Sequence, residues 1–350
     1  MGTSRKPKRS RRRWAIPLSI FAAAMVALGS YAGVLYVKAD AAIQKIAAPE
    51  SFAPAASEPA APSGTPSASP TNENKQRPYL FLLAGIDNRK GSGGTLNTDA
   101  LILASYNPDT RAVRMLSLPR DLKIMPDSLS ARKVNAFYAY FYSQDKDTAI
   151  PETKRFFSDL LHLPIDYMAV INFDGLRQLV DAVGGVEVDV DMDMRYRDTA
   201  DGTDINLKKG VQTLNGKQAL DFVRYRKSNE GTAPSSDIAR NAREQQVIRQ
   251  ILDRLASFQG MTQWAKVLDI VGDSVRTDVP ESQLREWIMN YGSLKPSDVS
   301  ALTVESSWKS PYIYLNEDEF TQALNTLRRE VGAPEEDGSQ LEGSIGFQDS

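Results

Sequence analysis

Three apolar runs follow one another closely in this chain: Tyr79–Ile86 (YLFLLAGI), Ala100–Tyr106 (ALILASY) and Ala112–Leu118 (AVRMLSL). Each is short for a helix and is bounded by turn chemistry. Pro78 precedes the first, the loop N-R-K-G-S-G-G-T-L-N-T follows it, and Asn107-Pro108-Asp109-Thr110 separates the other two. The pattern predicts an antiparallel meander, with the end of the first strand, the start of the second and the end of the third at one edge of the sheet. That edge collects Asp87, Arg89, Asp99, Arg120 and Asp121. Two carboxylates such as Asp87 and Asp99, facing a phosphate, are the usual way to hold Mg2+, a hard ion that keeps waters and borrows phosphate oxygens. The loop glycines are not a Walker A motif, because no G-K-[ST] follows.

A second stretch, from Ala219 to Gln246, presents four arginines in two geometries. Arg224 and Arg226 are two apart, so an extended segment would send both to one face. Arg240 and Arg243 are three apart on a helix opened by Ser236 or Asp237, and are expected to share a face too. Guanidinium groups carry fixed charge and forked donors that match phosphate oxygens. Alone, such pairs also read as solvated surface charge; beside the acidic edge they predict an oxyanion cradle.

The rest of the pattern alternates. Helices are predicted from Pro151 to Leu161 and from Phe173 to Val183, where Gly184-Gly185 supplies a stop, and strands from Ile165 to Asn172 and Val186 to Val190. The segment from Arg195 to Gly210 reads as polar loop, and Asn215 to Phe222 as a helix delivering Arg224. Amphipathic stretches near Thr262 to Gly272 and Pro280 to Tyr291, a short strand at Leu302 to Glu305 and a helix from Asn316 to Val331 follow. The fold class is α/β, a single layered α-β-α domain with a central mixed sheet. The run A-F-Y-A-Y-F-Y after Lys133 fits core packing or the wall of a lipid or sugar groove.

The chain has no cysteine, which removes disulfides, a thiolate nucleophile and a Cys-ligated zinc site. A single histidine, His162, leaves acid-base work to carboxylates, Lys, Tyr or water. Of the 42 basic residues seven precede Trp14, so the remainder carries 35 against all 44 acidic residues. Clustered arginines in an acidic body indicate a local anion site and no nucleic-acid partner.

No charged residue stands between Arg13 and Lys38. As a helix this run would span about 36 Å, enough for a hydrocarbon layer of about 30 Å. The expected organisation is a cytoplasmic basic tail at 1–13, a transmembrane helix at 14–37 and a Pro/Ala/Ser-rich extracellular tether at 38–77. A domain at 78–333 and a disordered tail at 334–350 complete it. The chain would thus sit in the cell membrane as a single-pass protein, its N-terminus cytoplasmic and its catalytic domain extracellular.

Seven ordered motifs, L-L-A-G-I-D-N-R, T-D-A-L-I-L-A-S-Y-N-P, M-L-S-L-P-R-D, K-V-N-A, V-D-A-V-G-G-V, L-N-G-K-Q-A-L-D-F-V-R-Y-R and D-I-A-R-N-A-R-E-Q-Q, closely resemble the LytR-CpsA-Psr domain of bacterial envelope proteins. The resemblance runs from about Leu80 to Ile251. It implies a phosphotransferase that moves an anionic glycopolymer, such as teichoic acid, from its polyprenyl-pyrophosphate carrier to a peptidoglycan sugar hydroxyl, leaving polyprenyl phosphate. By the same resemblance Asp87 and Asp99 correspond to the Mg2+-holding aspartates. Arg89, Arg120, Lys133, Arg224, Arg226, Arg240 and Gln245 correspond to the pyrophosphate and headgroup site, and Asp237 to an acidic residue beside them. Arg120 and Asp237 are the expected catalytic residues, the acceptor hydroxyl losing its proton to a carboxylate such as Asp237 or Asp121. The family's lipid tail occupies an apolar cavity between sheet and helices. Two positions depart from the family pattern: Asn97 stands where Arg is frequent, and Glu244 where Gln is. A binder or regulator of lipid-linked polymers without chemistry, and a hydrolase of the same pyrophosphates, are the alternative readings.

Overall fold

The structure, a computed structural model, describes residues 30, 33–47, 77–86, 96–126, 130–199, 202–235, 237–255, 257–290, 294 and 296–348, with backbone alone at 237, 238, 241 and 258–262. Residues 33–46 form helix α1. The predicted meander follows as β1 (Tyr79–Ile86), β2 (Thr98–Asn107) and β3 (Ala112–Ser117), paired antiparallel from Tyr79 with Tyr106 to Ile86 with Thr98, and from Asn107 with Ala112 to Ile102 with Ser117. A short ladder of β4 (Lys123–Ile124) and β5 (Arg132–Lys133) leads to α2 (Phe137–Gln144) and α3 (Ala149–Leu161). β6 (Tyr167–Asn172) then lies parallel to β1.

Asn172 ends β6 and caps α4 (Phe173–Ala182), its side chain accepting from the Gly175 backbone N–H. Gly184 and Gly185, both at positive φ, end that helix as the sequence predicts. Next come β7 (Val186–Val190), the hairpin β8 (Met194–Asp198) and β9 (Thr203–Leu207), and β10 (Gly210–Leu214), which pairs back onto β7. α5 (Gly216–Arg224) opens with a capping box between Asn215 and Gln218 and is followed by α6 (Asp237–Leu255) and α7 (Phe258–Ser274). β11 (Val275–Thr277), α8 (Glu281–Met289), β12 (Asp298–Leu302), the hairpin β13 (Ser306–Lys309) and β14 (Tyr312–Leu315), and α9 (Glu317–Val331) complete the chain.

The central sheet is mixed, in the order β11-β6-β1-β2-β3-β12. Strand alternation gives it two different faces. Leu80, Leu82, Leu101, Leu103 and Leu116 are all but fully buried against α2, α3 and α9, through Phe137, Phe157, Phe320 and Leu324. Burial of each such side chain contributes roughly 2 kcal/mol. Phe81, Leu83, Ile102, Ala104 and Met115 turn the other way, toward Ile248 of α6, and form a looser layer.

Four expectations are corrected. Residues 38–46, placed in the tether, are helical and docked. Ala39, Ala42, Ile43 and Ile46 are buried, Lys38 and Lys45 pair with Asp269 and Asp273 at 2.5 and 2.7 Å, and Asp40 pairs with Arg285. A Cβ on Gly272 of α7 would stand 3.1 Å from Ala42 Cα, so the two helices need glycine there to approach. The tail, expected to be disordered, is ordered through 348: Leu341 and Ile345 enter the core, and Phe347 lies against Phe320. The segment expected as loop from Arg195 to Gly210 is largely the β8–β9 hairpin. The strand expected at Leu302 to Glu305 lies earlier, at Asp298–Leu302. Most of the run 14–37 and the segment 48–76 lie outside the described residues. Among the described residues no helix is long and apolar enough to cross a membrane.

Candidate functional site

A cavity of about 520 Å³ opens on the looser face of the sheet. Its floor on the sheet combines small residues, Ala84, Gly85, Ala100 and Ala169, with Leu83, Ile102 and Ile171. Leu176 and Leu179 of α4 and Val247, Ile248, Ile251 and Leu252 of α6 wall it with apolar side chains. Tyr196, Thr203 and Ile205 of the β8–β9 hairpin close another side. That hairpin is fastened to the segment after α5: Ser228 Oγ donates to Arg195 O at 2.6 Å, Asn229 Oδ1 accepts from Arg197 N at 2.9 Å, and Arg195 N donates to Thr232 Oγ1 at 3.1 Å.

At the mouth of this apolar space the charged residues converge. Asp99, Arg120, Arg224, Arg226, Lys227, Arg240 and Glu244 all line it. Asp99 reaches the mouth through a β-bulge: Gly85 pairs with Ala100 and Ile86 with Thr98, which leaves Asp99 as the extra residue. Without the bulge, alternation would send its side chain to the packed face with Leu101 and Leu103. Arg120 follows β3 in a turn pinned by Leu122 N to Pro119 O at 2.8 Å and Asn135 N to Arg120 O at 3.2 Å. Arg224 is the last residue of α5, and Tyr225, in extended conformation and fully buried, lets Arg226 point into the same space.

Arg120 Nη1 donates to Asp99 Oδ1, and Arg226 Nη2 lies 3.8 Å from the same oxygen. Arg120 Nε is buried and donates no hydrogen bond among the described residues; its nearest carboxylate oxygen is Asp121 Oδ2, at 3.7 Å. Burial first, and then repulsion from Arg240 and Arg120, push the Arg226 guanidinium down to about 10. Arg240 is pushed down as well, by burial against the pull of Glu244. Burial pushes the Glu244 carboxyl up to about 8, with Arg240 pulling the other way. Charges that perturb one another in this way face one another across a short, poorly hydrated space. A doubly charged anion would relieve the repulsion.

Not every expected site residue arrives there. Lys133 does not line the cavity; its Nζ lies 2.9 Å from Asp121 Oδ1. Gln245 is buried instead between α6 and the sheet, with Nε2 3.5 Å from Ser117 Oγ. Arg243 does not share the cavity face of Arg240. It is fully buried in a two-pronged pair with Asp191, at 2.7 Å on each prong. Asp87 and Arg89 lie outside the described residues, and so does the side chain of Asp237, whose backbone opens α6. Glu244, one helical turn after Arg240, is the cavity residue that spacing alone did not select. The inward residues Tyr196 and Ile205 were also passed over, although their period-2 pattern around a D-T-A-D-G turn was there to read.

A Mg2+ ion carried on phosphate needs one or two protein carboxylates, the remaining oxygens coming from ligand and water. Asp99 supplies one at the mouth. Among the described residues no three or more Asp, Glu, His or Cys side chains gather to cage an ion. Asp99 fits the donor that a phosphate-borne Mg2+ would use there.

The LytR_cpsA_psr family profile matches residues 47–329. The polyisoprenyl-teichoic acid–peptidoglycan teichoic acid transferase TagU of Oceanobacillus iheyensis is 31% identical over 252 residues, 70% of this chain and 73% of that protein. TagV of Bacillus subtilis, with the same transferase description, is 27% identical over 237 residues; the match covers 67% of this chain and spans 58% of TagV. The crystal structure of B. subtilis TagV superposes with a TM-score of 0.56 at 26% identity, covering 74% of this chain and 99% of that one.

Proposed function

Because the chain belongs to the LytR-CpsA-Psr family, we propose that it transfers an anionic glycopolymer, of the teichoic acid kind, from a polyprenyl-pyrophosphate carrier to a sugar hydroxyl of peptidoglycan, releasing polyprenyl phosphate. The observation that carries this reading is one cavity with two chemistries: an apolar interior and a mouth lined by Arg120, Arg224, Arg226 and Arg240. Such a space suits an amphiphile with a hydrocarbon tail and a doubly phosphorylated head.

In this reading the tail lies along the sheet floor and the α6 wall, which exclude water from the reacting phosphates. The four guanidinium groups are fixed in place before substrate arrives, so they neutralise charge as it moves onto the leaving phosphate without reorganising. Arg120, with an unused buried donor, is placed to take a phosphate oxygen. Asp99 and Asp87 would hold Mg2+, which when bound supplies further neutralisation of the pyrophosphate oxygens. Asp237, one turn before Arg240, is the carboxylate assigned to take the proton of the attacking hydroxyl. The uncharged run from Trp14 to Val37 would hold the protein in the membrane, with the mouth outside the cell.

The test uses the full chain in lipid nanodiscs, a synthetic lipid-linked oligosaccharide, and soluble peptidoglycan oligomer present or absent. Transfer with release of polyprenyl phosphate only when the oligomer is present is the expected result. Release without it would indicate a hydrolase. Binding without release would indicate a carrier or regulator, and either outcome refutes the transferase.

A further inference from the structure

Outward from Arg120 the site continues along side chains that the transfer chemistry leaves unused. Lys133 Nζ, 2.9 Å from Asp121 Oδ1, is also 5.7 Å from the ring centroid of Trp308 on β13, and Asp121 links back to Arg120 at 3.7 Å. Trp308 is 55% exposed, although cross-strand Ile313 beside it is buried. By strand alternation Trp308 shares its face with Ile313, away from Tyr312 and Tyr314. An exposed indole with one ammonium over it offers a surface for the apolar face of a sugar ring and a donor for an anionic group beside it.

We propose that Trp308, with Lys133 beside it, forms the acceptor subsite, where the amino-sugar ring of a carboxylate-bearing peptidoglycan strand stacks before its hydroxyl is used. This rests on the transferase reading above. With the carrier's tail in the cavity, the phosphate that leaves with it points inward. A displacement with attacking and leaving oxygens in line therefore brings the hydroxyl from outside the mouth. Trp308 does not line the cavity and is joined to Arg120 through Lys133 and Asp121, so a strand lying on it would approach the mouth from outside. Charge complementarity points the same way, since the strand brings carboxylates and Lys133 of β5 stands over the indole.

The experiment compares wild type, Trp308→Ala and Trp308→Phe as full chains in nanodiscs, with soluble uncrosslinked peptidoglycan oligomer as probe. Trp308→Ala should raise the KM for the oligomer about tenfold, the loss of one ring stack, while the KM for the lipid-linked donor stays within about twofold. Trp308→Phe should recover most of the difference. Direct binding of the oligomer without donor should weaken by the same factor, and this arm requires no turnover. Oligomer binding that depends on Trp308 in a protein that transfers nothing would sink the transferase reading and leave the subsite standing. An acceptor KM unchanged by Trp308→Ala, a donor KM that rises instead, or oligomer binding indifferent to residue 308 would overturn the subsite.

Discussion

Arg226→Met should make the protein more stable and nearly inactive at once. The Arg226 guanidinium is pushed down to about 10 from an ordinary 12.5 by burial and by Arg240 and Arg120, with Asp99 and Asp121 only partly offsetting them. At about 1.4 kcal/mol for each tenfold change in proton affinity, that depression corresponds to roughly 3 kcal/mol against the charged native state. The side chain is 37% exposed, so solvent screening reduces the net cost to about 1 kcal/mol. The sign follows from linkage: a base with a depressed native pKa destabilises the fold at every pH below that pKa, and the penalty fades only above about 10. Methionine keeps much of the volume and removes the charge. Thermal unfolding at pH 7 should therefore shift upward by about 2–4 °C for a domain of this size. Inorganic pyrophosphate should stabilise the wild type more than the variant, because it relieves the repulsion that the variant lacks. A melting temperature lower than that of wild type, or full transfer activity in the variant, would refute the idea that mutually repelling arginines are held at the mouth for an anion.

Glu244→Gln tests the same mouth from its acidic side. The native carboxyl keeps its proton up to about pH 8 whereas an ordinary one releases it near 4.5, so wild-type stability should fall as pH rises through that window, and the variant should stay flat in melting scans from pH 5 to 9. Truncation after Gly338 removes Leu341 and Ile345 from the core and should cost about 2–5 kcal/mol in urea denaturation; an unchanged midpoint would restore a disordered tail. Ala100→Trp places an indole on the cavity floor and should abolish binding of polyprenyl pyrophosphate while leaving inorganic pyrophosphate bound, as read by calorimetry.

What was legible in the sequence was local. The meander, the helices starting at Phe173 and near Asn215, the Gly184-Gly185 stop and the Arg224/Arg226 pair each depend on residues within a few positions of one another, and each is found. Asp99 was identified by type, but its route to the mouth runs through a bulge that register on β1 determines. Arg240 and Arg243 separate because the partner of Arg243, Asp191, comes from a distant segment and draws it to the far side of α6. The final segment looked disordered because it is polar overall, yet two aliphatic side chains spaced four apart suffice to hold it against a core already formed. The Ala39, Ala42, Ile43, Ile46 stripe had the spacing of a packed helix but was absorbed into the proline-rich composition beyond it.

The seat of α1 on α7 changes what the proline-rich stretch can do. The helix 33–46 ahead of that stretch and β1 after it belong to one body, so the two ends of the connection between them are both fixed. Doubling such a loop costs only about 0.6 kcal/mol. In the proposed membrane-anchored reading, insertions or deletions there should leave the height of the arginine mouth unaltered, because the α1–α7 contact would set it.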